Sequence, residues 1–142
     1  EKVSNYERDL TKFTLEKIRS IPNIILYDDG DVRNKVSILS FNIDGLYHGT
    51  VATILSLEGG IAVRNGCFCA QPYVQKLLNI SPEDMEKYKK DENLLRPGTV
   101  RISYGIYNNY EEINIMIQLL KEIGGNIKYY DLKYRKPPFY SK

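Results

Sequence analysis

Gly60-Ile61-Ala62-Val63-Arg64-Asn65-Gly66-Cys67-Phe68-Cys69-Ala70-Gln71-Pro72 compresses a strand, a glycine turn and a helix start into one short stretch. Ile61-Ala62-Val63 is an apolar run short enough for a buried strand. Gly66 marks the turn, and Pro72 suits the first turn of a helix that runs on to Leu78. Both cysteines of the chain lie in this turn. A thiol there is open to solvent and feels the positive end of the helix that follows. Cys67 and Cys69 are one residue apart, so pairing them would close a strained ring; no structural disulfide is expected, and a reduced, cytosolic setting fits. A zinc site needs four ligands, or three and a water. Two thiols and the single distant His48 fall short, so no metal is expected.

Working outward, Asn5 to Ser20 reads as a helix with Tyr6, Leu10, Phe13, Leu15 and Ile18 on its apolar face, stopped by Pro22. Ile24 to Tyr27 is a short strand, and Asp28-Asp29-Gly30-Asp31 is a turn. Val36 to Ile43 follows as a strand with Leu39, Phe41 and Ile43 on one side. His48 to Leu57 is a helix with Val51, Ile54 and Leu55 facing inward and Gly59-Gly60 as its C-cap. Ser81-Pro82-Glu83-Asp84 caps a polar helix to about Lys90, a surface insertion. Thr99 to Ser103 is a strand that sets Val100 and Ile102 against Arg101. Asn108 to Glu111 resembles a capping box for a helix carrying Ile113, Met116, Ile117 and Leu120, ended by Gly124-Gly125. The order predicts an α+β fold: a small, mostly antiparallel sheet of about four strands with helices packed on one face. The chain then divides into a leading helix at 1–20, a core at 21–123 and a tail at 124–142.

Composition fits one globular domain. The 142 residues are 42% hydrophobic and 27% charged, which excludes a disordered chain or a coiled coil. No apolar run approaches a membrane span, and no apolar h-region follows Glu1 to Asn5. A net charge of +2 does not point to nucleic acid or a membrane surface. The one basic and aromatic cluster holds Lys128, Lys133, Arg135 and Lys136 among Tyr129, Tyr130 and Tyr134, and reads as a solvated tail.

Arg64, Cys69 and Arg101 are the candidate functional residues. An arginine held on a strand opposite the apolar face can take a carboxylate in bidentate fashion. The segments Gly60 to Gly66, Cys69 to Pro72, Val100 to Ser103, Tyr107-Asn108 and Glu111 to Ile113 together resemble the C-terminal domain of class V aminotransferases. The branch they resemble most is that of cysteine desulfurases and selenocysteine lyases, over roughly Ile21 to Ile123.

The resemblance implies fold type I and pyridoxal phosphate, held on a lysine as an electron sink. It implies that Cys69 is the mobile cysteine that attacks the substrate sulfur and carries a persulfide. By the same resemblance Arg101 grips the α-carboxylate of a small amino acid, Arg64 is a second active-site arginine, and Asn108 precedes the last helix, where capping suffices. His48 is a capping or packing residue. Cys67 and Phe68 stand where desulfurases often have histidines. The family's large domain, with the cofactor lysine, has no counterpart here. The expectation is therefore a C-terminal part of a longer, dimeric enzyme, with no cofactor bound to it and no activity alone. The competing reading is a non-catalytic interaction module that keeps the fold.

Overall fold

Leu39, Phe41 and Ile43 alternate with Ser40 and Asn42 along one strand, and that alternation orients the whole sheet. The computed structural model describes residues 2–27, 37–91 and 94–134. Its elements are α1 (Lys2–Ile18), β1 (Ile24–Leu26), β2 (Ile38–Ile43), α2 (His48–Gly59), β3 (Arg64–Gly66), α3 (Gln71–Leu77), α4 (Pro82–Lys90), β4 (Thr99–Ser103), α5 (Tyr110–Gly125) and α6 (Ile127–Tyr134). The strands form one antiparallel sheet in the order β1-β2-β4-β3. The predicted turn at Asp28 to Asp31 and the start of the second strand at Val36 lie outside the described residues.

One face of the sheet is dry. Leu39, Phe41 and Ile43 of β2 and Val100 and Ile102 of β4 join a buried cluster with Leu10, Leu15 and Ile18 of α1, Val51, Ile54 and Leu55 of α2, and five apolar residues of α5. The helices therefore cover one face, as the pattern predicted. Removing that much apolar surface from water supplies the main drive to fold. Gly60 ends α2 in the left-handed conformation at φ +62° and donates its N–H to the carbonyl of Ser56. Ser81 caps α4, accepting from the N–H of Asp84, and α4 buries none of its residues.

Three expectations change. The run Ile61 to Val63 belongs to no ladder, and the strand begins at Arg64. Ile61 and Val63 pack against the core cluster, so their apolarity reports burial and not a ladder. The capping box sits one residue later than expected: Asn109 accepts from the N–H groups of Glu111 and Glu112, and Glu112 accepts in return from the Asn109 N–H. Residues 127–134 are no solvated tail. They form α6, in which Tyr130 is 1% exposed and packs into the core. Lys133 and the Tyr134 hydroxyl both donate to Glu58 of α2. Arg135 and Lys136 lie outside the described residues.

Candidate functional site

The β3–β4 register sets Arg64 directly opposite Arg101, and the β2–β4 register sets Ser40 on its other side. Side chains of such partners share a face, here the face turned away from the helices. Like charges directly opposite each other destabilise a sheet. Among the described residues neither arginine has a hydrogen bond or an ion pair. Arg64 is exposed and Arg101 half-buried. The Nε of Arg101 is sealed from water without a partner, and so are the Oδ1 of Asn42 and the Oγ1 of Thr99. Asn42 and Thr99 project from the same face of β2 and β4. Buried polar atoms are almost always bonded in folded proteins, because leaving one unbonded costs about 1–3 kcal/mol. Of the three atoms the Arg101 Nε–H and the Thr99 hydroxyl can donate, the Asn42 Oδ1 can only accept, and the two unneutralised guanidinium groups make the face electropositive.

The turn after β3 lies against this face. Gly66, Phe68 and Cys69 have φ of +102°, +52° and +61°. The last two are not glycine, and two successive side chains in the left-handed region store strain of about 1–3 kcal/mol each. The turn is pinned at its base: the Ala70 N–H donates to the Cys67 carbonyl at 2.8 Å, and the Cys67 thiol donates to the Pro97 carbonyl at 3.2 Å. Phe68 then lays its ring against Arg101, with the guanidinium carbon 4.9 Å from the ring centroid. The two thiols face different surroundings. Cys69 is exposed, whereas Cys67 is half-buried and burial pushes its pKa up.

His48 is a packing post. Its Nδ1 lies 3.1 Å from Asn65 Oδ1 and its Nε2 lies 2.9 Å from the Arg96 carbonyl. It thereby ties β3 to the segment that leads into β4. Gly98 belongs to the same joint, since a Cβ there would stand 2.6 Å from the Gly66 Cα and 2.8 Å from His48 Nε2. Asn108 does not cap α5. Its Oδ1 accepts from the Gly105 N–H and its amide donates to Glu112, which fixes the loop between β4 and α5.

The structure thus places Arg64 beside Arg101 and the cysteine turn against them, and adds Phe68, Asn42 and Thr99, which the sequence reading did not name as site residues. The strand alternation could have flagged Asn42 and Thr99; nothing local marks Phe68. A cavity of about 360 Å³ lies elsewhere, between Ile61, Val63, Tyr104, Tyr107 and Met116. The arginine face does not line it. Nor does it fit a Schiff-base cofactor by itself. Every described lysine lies on a helix, and none stands on a strand or in the turn from Arg64 to Ala70. Among the described residues no three histidine, cysteine or acidic side chains gather as a metal site.

Residues 1–116 match the aminotransferase class-V family. The chain is 32% identical over 120 residues to a probable cysteine desulfurase of Staphylococcus aureus strain Mu50, covering 84% of this chain and 24% of that one. It is 31% identical over 122 residues to a probable cysteine desulfurase of Synechocystis, covering 85% and 25%. Among solved structures, the apo cysteine desulfurase of Thermococcus onnurineus superposes with a TM-score of 0.69 at 28% identity, over 87% of this chain and 26% of that chain. The cysteine desulfurase CsdA of Escherichia coli superposes at 0.61 with 22% identity, over 84% and 24%, a likeness of fold. The chain spans about a quarter of the length of the curated relatives it matches. It belongs to the class V aminotransferases, a family of pyridoxal phosphate-dependent enzymes.

Proposed function

We propose that this chain is the substrate-carboxylate-binding part of a cysteine desulfurase-like enzyme. The observation that carries the reading is the Arg64–Arg101 pair: two cations registered across β3 and β4, without an acid among the described residues to neutralise them. An amino-acid carboxylate supplies the missing charge and accepts from the in-plane N–H groups of Arg101. Arg64, exposed at the sheet edge, adds attraction as the substrate arrives.

The exposed Cys69, in a strained turn next to the arginines, is the group that takes the substrate sulfur. Its Sγ forms the S–S bond as the Cβ–S bond of the substrate breaks, and the electron pair of that bond leaves with the carbon skeleton. Pyridoxal phosphate serves such enzymes as an electron sink, and residues beyond those of this face would have to hold it. Docking the carboxylate on β4 orients the amino acid so that its side chain points toward the turn. A cytosolic setting and a dimeric whole enzyme belong to the same reading.

The test is Arg101→Ala in the enzyme that carries this domain. The KM for L-cysteine should rise about 10- to 100-fold, the range set by losing hydrogen bonds to a charged group, with a smaller change in kcat. An unchanged KM would remove the carboxylate role from Arg101.

A further inference from the structure

The Arg101 guanidinium lies over the ring of Phe68, with its Cζ 4.9 Å from the ring centroid. We infer that Phe68 is a positioning residue that holds Arg101 in its carboxylate-binding pose, an inference that rests on the reading of Arg101 given above.

Three observations carry it. First, no other described residue bonds the guanidinium. Arg101 makes no hydrogen bond or ion pair with the described residues, its Nε is buried without a partner, and Arg64 stands directly opposite and repels it. An arginine side chain in that situation is free to rotate away unless something fixes its plane. A ring beneath the cation restricts that rotation and attracts the charge through its π face.

Second, the contact leaves the chemistry free. An aromatic ring brings no acceptor oxygen and no negative charge, so the guanidinium's charge and its hydrogen-bond donors are not spent on an acid. A carboxylate partner on Arg101 would fix the guanidinium equally well but would use up the donors that the substrate needs.

Third, the backbone holds Phe68 in a conformation that side chains rarely adopt. Its φ is +52°, and the residue after it is also left-handed. The Cys67 bonds to Ala70 and Pro97 anchor the base of the turn. Because Cys69 is the next residue, the contact that fixes Arg101 also fixes where the thiol turn sits relative to the carboxylate site.

The experiment follows the Arg101 side-chain Nε–H resonance of the 142-residue chain during titration with sodium acetate, against sodium chloride at equal ionic strength. Arg101→Lys assigns the resonance. In the wild type the resonance should move saturably with acetate and not with chloride. Phe68→Leu keeps apolar bulk and removes the π face; it should weaken acetate binding about two- to fivefold, the size of an exposed cation–π contact. Phe68→Tyr and Phe68→Trp should bind as the wild type does. A merely structural Phe68 would instead change the urea unfolding midpoint in parallel with acetate affinity and show no rescue that depends on aromaticity. If Phe68→Leu does not fold, Phe68→Met serves the same comparison. Equal acetate binding in wild type and Phe68→Leu overturns the role of Phe68 and leaves Arg101 standing. No acetate response at Arg101 in the wild type overturns both.

Discussion

Cys67 and Cys69 are separated by one residue and yet present opposite chemistry. The Cys67 thiol donates to the Pro97 carbonyl, and its burial disfavours the thiolate; Cys69 is exposed. Because thiolate is the reactive form, a thiol-reactive disulfide reagent should meet one fast and one slow site in the folded chain. Cys69→Ser should delete the fast phase, and Cys67→Ser should leave it. Equal rates for the two thiols would mean that the turn is not pinned as described. The family resemblance singled out Cys69, but nothing in a C-x-C spacing itself says which sulfur turns inward. That choice is made by Pro97, 30 residues away in the chain. The contact between Phe68 and Arg101 is hidden for the same reason: it joins a turn to a strand that only the β3–β4 register brings near.

At the scale of elements, helices and strands whose apolar positions recur at helical or strand period were legible. Leu39, Phe41 and Ile43 are inward on β2 and Val51, Ile54 and Leu55 on α2, as their spacing requires. Misreadings arose where polarity and burial part company. Thr14 is fully buried on α1 because its hydroxyl bonds the Leu10 carbonyl and shares a 2.6 Å hydrogen bond with Tyr104. The strand at Arg64 to Gly66 has no apolar side chain, so its pairing could not be read from hydropathy. The last helix is the clearest case. Lys128, Lys133 and three tyrosines look like a solvated basic segment, but Tyr130 and Tyr134 fall four apart, on one helical face, against α2. Tyr130→Ala should therefore cost about 3 kcal/mol or more in urea unfolding, as large aromatic truncations in cores do. A change within about 0.5 kcal/mol, the usual surface value, would return the segment to solvent.

The whole molecule has one face closed by helices and one face open, and the two respond to different variables. The closed side governs stability at high pH. Burial holds the Tyr104 and Tyr130 phenols near a pKa of about 12, against an ordinary 10.0, and the bond from Tyr130 to Glu122 adds to the second. The unfolded chain releases these protons near pH 10 while the folded chain keeps them, so stability present below pH 10 is lost as pH rises toward 12. Urea midpoints should fall across that window, and fall less in a Tyr104→Phe, Tyr130→Phe double variant, which has no phenol there to ionise. The same slope in both would assign the loss to other groups.

The proposed function rests on the open side. Its two arginines could be placed from their strand position together with the family resemblance; the unbonded Oδ1 of Asn42 and Oγ1 of Thr99 could not, because satisfaction of a polar atom is a property of the packed sheet. In the proposed function the arginine pair and the cysteine turn form one site. The most direct test of that reading is to mix the enzyme that carries this domain with L-cysteine and map bound sulfur by peptide mass spectrometry. An extra sulfur atom should appear on the peptide containing Cys69, remain absent in Cys69→Ser, and at a low L-cysteine concentration form about 10-fold or more slowly in Arg101→Ala, by loss of hydrogen bonds to the charged carboxylate. Sulfur on no cysteine of this turn, or formed as fast without Arg101, would contradict it.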